Sequence, residues 1–355
     1  MQIFSLRSRA GRTLSAVVLI GLFPVIGFRV EAVDEYRMST LAALPWGSGP
    51  GQVGMLAATG LDYGPKSLAL AADGRIFLAD TANDRIVILS ADGEWQGSLD
   101  LTGEVGSLVH IDDLAVGSDG TLYLLDNGTG RLLIYDPASS SMKRVELGEG
   151  RIHLTGTHVW SGQQGEVYLR EIALDGERYI RRLRRLDPNG KVELISAAAL
   201  TADGSYTPVE GALLSQVIAS CALDAQGNLI CEIFTPGALQ RGLMIYDSRG
   251  RPVKELTYTG SQPIRSSAVL GADGRGAVYL SLNSQTADGR VVKLDSRGRA
   301  VATLSFPFQG VAANIYGRVE ARTGSVYYLQ SSPQEFRLIL AACQRRWRIV
   351  WRFGS

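Results

Sequence analysis

Residues 73–93 read DGRIFLADTANDRIVILSADG, which is two short apolar runs separated and flanked by polar turns. Residues 119–139 read DGTLYLLDNGTGRLLIYDPAS and repeat the order of turn, strand, aspartate, turn, arginine and strand. Glycine and asparagine supply the positive φ angles of tight hairpins, and aspartate and proline favour the start of a turn. The two segments therefore predict successive β-hairpins in a repeated unit.

Turns of this kind recur along the whole chain between apolar runs. Their glycines are Gly74, Gly120, Gly165, Gly227, Gly274 and Gly324, and a second set of turns lies between them. Each unit then holds four short strands, and long helical patterns are absent. Six such units at a period of about 40–50 residues predict an all-β fold, a six-bladed β-propeller of four-stranded antiparallel blades.

Two of the units resemble a known repeat. Residues 64–89 (GPKSLALAADGRIFLADTANDRIVIL), preceded by WGSGPGQVG at 46–54, and residues 111–135 (IDDLAVGSDGTLYLLDNGTGRLLIY) resemble NHL repeats. Units four and five keep the turns, whereas Glu171 replaces the aspartate of unit three and unit six lacks the Asp-Gly turn. The resemblance to the NHL-repeat propellers implies a six-bladed fold but little about chemistry, because this fold hosts binding modules, lyases and lactonases.

The N-terminus has the features of an export signal. Arg7, Arg9 and Arg12 precede the apolar run TLSAVVLIGLFPVIGF, and VEA ends in a small residue at Ala32. The apolar run stops at Arg29, short of the roughly 20 residues that span a membrane. We therefore expect a signal peptide at 1–32, with an uncleaved anchor as the alternative, and no stable membrane span after its removal. Residues 33–355 are predicted to form a single propeller domain, with an insertion near 201–216, in the periplasm or outside the cell.

The charge of the chain argues against nucleic-acid binding. The full sequence has 36 basic and 35 acidic side chains, and removing residues 1–32 takes away four arginines and one glutamate. The remaining chain is close to neutral, without the strong positive charge of a nucleic-acid-binding face.

The repeated aspartates favour a structural role. Asp80 and Asp126 each end a strand, five residues before Arg85 and Arg131. A carboxylate at a strand end can accept backbone N–H groups, and the arginine fork can reach a nearby carboxylate or carbonyl. We predict that these pairs hold the turns of their blades and do not bind a ligand.

Residues just before the inner strand of each unit are expected at the mouth of the central channel. This set mixes both charges, which suits a small polar ligand or a peptide terminus. The candidates are Lys66, Asp112, Asp113, His158, Ser220, Arg265 and Asn314.

Two functions remain open. With no strong catalytic motif, the favoured hypothesis is a non-catalytic, cofactor-free module that binds a protein, peptide or carbohydrate at one rim. The alternative is a metal-dependent lyase or a lactonase-like hydrolase in the central cavity. Its divalent metal ion would be held by His110, His153 and His158, and Asn314, Asp112 and Asp113 are the candidates for a lactonase-like centre.

Two further predictions concern pairing. Cys221 and Cys231 are symmetric about a turn in CALDAQGNLIC. Opposed residues of a hairpin are close enough for a disulfide, so we predict one here. The alternative is two buried thiols that take the place of core leucines. The segment YRMSTLAAL at 36–44 resembles an outer strand, so we expect it to pair with the last blade and close the ring. RWRIVWRF, at 346–353, is read as the last unit's own outer strand.

Overall fold

The computed structural model describes residues 3–7, 13–17, 27–58, 61–102, 111–126, 129–147, 158–162, 164–175, 178–201, 205–214, 216–233, 239–260, 264, 266–283, 289–306, 317–320 and 322–352. It divides into two compact units. The larger is Tyr36–Cys343, and the smaller combines Met1–Glu35 with Gln344–Ser355.

The larger unit is a six-bladed β-propeller of antiparallel blades, as predicted. Blade 1 contains Leu68–Leu70, Ile76–Asp80, Arg85–Leu89 and Trp95–Asp100, and blade 2 contains Ile111–Val116, Leu122–Asp126, Arg131–Asp136 and Ser141–Glu146. Blade 3 contains His158–Ser161, Val167–Asp175, Arg178–Leu186 and Val192–Leu200, and blade 4 contains Ile218–Leu223, Leu229–Ile233, Gln240–Tyr246 and Pro252–Thr259. Blade 5 contains Ser266–Ala272, Val278–Asn283, Gly289–Leu294 and Ala300–Phe306. Blade 6 contains Gly317–Val319 and Val326–Ser331, together with the parts of the strand Glu335–Arg352 and of the N-terminal strand Gly27–Pro45 that lie within Tyr36–Cys343.

The other elements are short. Tyr206–Pro208, inside the predicted insertion, adds a fifth strand to blade 3, Leu56–Ala58 pairs with Leu61–Tyr63, and a 3₁₀ helix spans Thr81–Asn83. In the smaller unit Ile3–Arg7 pairs with Thr13–Val17, and Arg346 Nε lies 3.1 Å from Glu35 Oε2. No helix among the described residues has the length and apolar character needed to cross a membrane.

Apolar side chains hold the blades together. Among the described residues, six buried clusters lie at the interfaces between neighbouring blades, and each cluster combines residues of two blades. Between blades 1 and 2, for example, Phe77 and Ile86 pack with Leu114 and Leu124. Burying one such side chain contributes about 1.5–3 kcal/mol. Both faces of each blade are covered, which explains the nearly continuous apolar runs in the sequence.

The turns follow the predicted glycines with one exception. Gly74, Gly120, Gly165, Gly227 and Gly324 all have positive φ. In blade 5 the turn runs from Asp273 to Gly276, so the marker Gly274 was wrong by two residues. Asp273 fixes this turn, because its carboxylate accepts a hydrogen bond from Ala277 N (3.1 Å) and pairs with the buried Lys293 (2.9 Å).

The predicted structural role of Asp80 is confirmed, whereas the absence of ligand binding there stays a prediction. Its buried carboxylate accepts hydrogen bonds from Gly54 N and Arg85 Nε, each at 2.8 Å. Arg85 in turn donates to the carbonyl oxygens of Ser48 and Gln52, also at 2.8 Å. The pair therefore fastens the loop that precedes blade 1.

The ring closes through the N-terminal strand, as predicted. Ala42 and Leu44 of this strand are buried with Phe336 of blade 6 and residues of blade 1. The interpretation of RWRIVWRF as a separate outer strand was wrong. Residues 346–352 continue the third strand of blade 6, Glu335–Arg352, and the N-terminal strand takes the outer position.

Candidate functional site

The first strand of each blade is its inner strand, next to the central channel. These inner strands carry polar residues near their starts. Ser67, Asp113, His158 and Ser220 occupy equivalent positions at the starts of the inner strands of blades 1 to 4, one residue before Leu68, Leu114, Val159 and Cys221. The inner strand of blade 2 contacts those of blades 1 and 3, which brings Ser67, Asp113 and His158 together. We call Ser67, Asp113, His158 and Arg318 the polar layer.

Asp113 is the centre of the polar layer. Its carboxylate is fully buried and accepts hydrogen bonds from Ser67 Oγ, from Val159 N at 3.0 Å and from His158 Nδ1 at 3.2 Å. Burial raises the pKa of Asp113, but the charge of Arg318 and the hydrogen bonds from His158 and Ser67 outweigh burial and hold this pKa well below its usual range. Asp113 is therefore a carboxylate at neutral pH.

Arg318 of blade 6 reaches past blade 1 to Asp113 of blade 2. Its Nη2 lies 2.8 and 2.9 Å from the two carboxylate oxygens of Asp113, and its Nε donates to Leu68 O at 3.1 Å. One arginine thus connects blade 6 to blades 1 and 2. It also supplies the positive charge that a buried carboxylate requires.

His158 lies beside Asp113 as a neutral imidazole. Burial and the nearby charges of Arg170 and Arg318 lower the pKa of His158, although the hydrogen bond to Asp113 opposes this shift. The imidazole is therefore neutral at pH 7. Because an ionised carboxylate only accepts hydrogen bonds, Nδ1 of His158 carries the proton and Nε2 is the basic nitrogen. The side chain keeps 17% of its surface exposed.

Ser220 belongs to a second network, between blades 4 and 5. Its Oγ donates to Glu232 Oε2 and accepts from Val269 N, at 2.8 and 2.9 Å. Glu232 also accepts from Ser267 Oγ and lies 3.3 Å from Arg241 Nε. A buried carboxylate therefore joins these two blades as Asp113 joins blades 1, 2, 3 and 6.

The predicted mouth residues are only partly brought together. Asp113 and His158 are in direct contact, whereas Lys66 pairs with Asp112 at 4.0 Å and Ser220 lies in the second network. The other predicted positions, Arg265, Asn314, His110 and His153, lie outside the described residues.

Sequence reasoning missed Ser67 and Arg318. Ser67 was detectable, because KSLAL and IDDLAV align Ser67 with Asp113. Arg318 stands where units 1, 2 and 4 have alanine, but unit six lacks the turn motif that would align it.

The described residues do not fit a metal site. Within this part of the chain, no group of three or more His, Cys, Asp or Glu side chains is arranged to hold a metal ion. Both carboxylate oxygens of Asp113 are bound by Arg318, and Nδ1 of His158 faces Asp113. The three-histidine site stays a prediction, since it also depends on His110 and His153.

Comparison with known proteins supports the fold. No family model and no curated protein sequence matches the chain. A streptogramin B lyase structure is 13% identical, with a TM-score of 0.51, and the match covers 89% of this chain and 98% of the lyase. A gluconolactonase from Xanthomonas campestris is 14% identical, with a TM-score of 0.53 and coverage of 87% and 90%. A member of the DUF4221 family from Bacteroides vulgatus is 14% identical, with a TM-score of 0.51 and coverage of 89% and 98%. The six-bladed propeller is thus confirmed, whereas membership of the NHL-repeat family is not.

Proposed function

We propose that the protein hydrolyses cyclic esters in the central channel, with His158 as the general base. The observation that carries this proposal is the 3.2 Å contact between His158 Nδ1 and the carboxylate of the buried Asp113. A buried carboxylate that orients a histidine and fixes its tautomer is the arrangement used for proton transfer in acyl-transfer enzymes. The fold is similar to those of a gluconolactonase and a streptogramin B lyase, which supports an enzymatic function.

The reaction needs one base that later acts as an acid. Nε2 of His158 takes a proton from water while the water oxygen bonds to the carbonyl carbon of the lactone. The ring C–O bond then breaks, and the imidazolium returns the proton to the departing alkoxide, which gives a hydroxy acid. Asp113 remains ionised and stabilises the imidazolium through Nδ1. Arg318 neutralises Asp113 and makes protonation of His158 less favourable at rest.

The test is a lactone assay with matched variants. Glucono-δ-lactone and a panel of γ- and δ-lactones are hydrolysed by the purified chain, and acid release is followed at pH 7. We expect His158→Gln to lower kcat/KM by at least about 100-fold, the lower end of general-base contributions. Arg249→Gln, in an exposed turn of blade 4, is the control and keeps the rate. Hydrolysis of no lactone by the wild type, or an unchanged rate in His158→Gln, overturns the proposal.

A second candidate is a binding module without catalysis. Lys66 and Asp112 form an ion pair next to the polar layer, and Lys66 keeps 19% of its side-chain surface exposed. This pair would receive a small polar ligand or the terminus of a peptide. Saturable binding of a peptide or oligosaccharide that Lys66→Gln weakens, without lactone turnover, distinguishes this candidate. The signal-like N-terminus supports a periplasmic or extracellular location for either function.

A further inference from the structure

The central channel also contains a cavity near the ends of the inner strands, away from the starts that carry Asp113 and His158. It has a volume of about 230 Å³ and is lined by the inner strands of all six blades. Its lining includes Leu70, Val116, Leu223 and Val319, which end these strands, and Asp224, which begins the first turn of blade 4. His158 and Asp113 do not line it. We call this space the turn-side cavity.

Small residues leave the space open. One position of the inner strand is alanine or glycine in four blades, namely Ala69, Ala115, Ala222 and Gly271. The equivalent residue is Trp160 in blade 3 and Arg318 in blade 6. All six line the cavity. The walls are therefore mainly apolar, with an aromatic ring on one side.

The charged side chains of the lining already have partners. The guanidinium of Arg318 is bonded to Asp113 and to Leu68 O. The carboxylate of Asp224 accepts hydrogen bonds from Gln226 N and from both the backbone and side-chain nitrogens of Asn228, each at 2.8 Å. A charged ligand would lose its hydration without gaining a counter-ion, so the cavity favours an uncharged molecule.

We propose that the turn-side cavity binds an uncharged aromatic molecule of one or two fused rings. An engineered apolar cavity of about 150 Å³ in another protein stays dry and binds benzene. The turn-side cavity is larger, so it has room for a second fused ring. Trp160 lines the cavity, and aromatic rings attract one another in offset-stacked and edge-to-face arrangements. This inference does not rest on the proposed hydrolysis, because His158 and Asp113 do not line the cavity, although Arg318 belongs to both places.

Calorimetric titration with indole tests the proposal. We expect one-to-one binding of indole by the wild type, and at least tenfold weaker binding of indole-3-acetate, which has the same rings and a negative charge. Val116→Phe and Val319→Phe place a ring in the cavity and should each weaken indole binding at least tenfold. Val253→Phe makes the same change on an outer strand, where Val253 is 62% exposed, and should leave the affinity unchanged.

The outcomes separate this proposal from the catalytic one. His158→Gln, which is expected to stop lactone hydrolysis, should keep the affinity for indole. Absence of saturable indole binding by the wild type, or equal affinity in both cavity-filling variants, overturns the proposal. If neither variant folds, as judged by thermal melting, an indole-soaked crystal of the wild type decides. Density between the inner strands supports the site, and density elsewhere or none overturns it.

Discussion

Asp113 links four blades through one carboxylate. It belongs to blade 2 and binds Ser67 of blade 1, His158 and Val159 of blade 3, and Arg318 of blade 6. Removing one partner of a buried ion pair leaves an uncompensated charge, which is more costly than the net stabilisation by the intact pair. The polar layer therefore affects stability as well as chemistry.

The substitution Asp113→Asn should destabilise the fold by about 3–5 kcal/mol, because Arg318 then lacks its counter-ion. Adding Arg318→Gln should recover part of the loss. Urea unfolding of the wild type, both single variants and the double variant gives the coupling energy of the pair. A coupling below about 0.5 kcal/mol would show that the two side chains act independently.

The lowered pKa of Asp113 should make the fold sensitive to acid. The pKa of Asp113 is lowered in the folded state, so its contribution to stability is fully present above the unfolded carboxyl pKa of about 3.9. It is lost as the pH falls from that value towards the folded pKa. Between pH 5 and pH 3, the free energy of unfolding should therefore decrease more in the wild type than in Asp113→Asn. Parallel decreases would assign the acid sensitivity to other groups.

Two elements, the hairpin of blade 4 and the N-terminal strand, make contacts that bear on the stability of the propeller. Cys221 and Cys231 lie directly opposite each other, with Sγ atoms 3.0 Å apart as two buried thiols.

Tyr36, on the N-terminal strand, has its hydroxyl 2.9 Å from that of Tyr279 and donates to Gly324 O. Burial raises the pKa of Tyr36 to about 12, so it stays neutral in this contact.

The disulfide between Cys221 and Cys231 remains a prediction for the protein exported to an oxidising compartment. Mass spectrometry after alkylation without reduction should then find one modified cysteine, Cys343. Reduction before alkylation is the control and should give three modified cysteines. Three modified cysteines without reduction would show that the pair stays as thiols.

The N-terminal strand should control thermal stability. Deleting residues 33–45 together with the signal-like segment removes the buried Ala42 and Leu44 and opens an edge of blade 6. Loss of this burial should lower Tm by at least about 5 °C. The matched control, deletion of residues 1–32 alone, should keep the Tm. Equal Tm values for both truncated chains would mean that the blades close by packing alone.

For the whole molecule, the six-bladed architecture could be predicted from the sequence, whereas most of the polar layer could not. The turn glycines and apolar runs are local signals, and they defined six blades and the closing strand. The polar layer depends on a contact between Asp113 and Arg318, which are 205 residues apart. Such a contact is set by how the ring closes, and periodicity does not specify it. Unit six also lacks an Asp-Gly turn, so its register could not be used to find Arg318.

The most direct test of His158 as the general base is how kcat/KM for lactone hydrolysis falls at acidic pH, on the acid limb of its pH profile. We expect the rate to fall on acidification with an apparent pKa below the ordinary imidazole value of about 6.5, because burial and the nearby arginines disfavour protonated His158. Arg318→Gln should move this apparent pKa upwards, since it removes one of those charges, while Arg249→Gln should leave it unchanged. An acid limb above about 6.5, or one that persists in His158→Gln, would contradict His158 as the base.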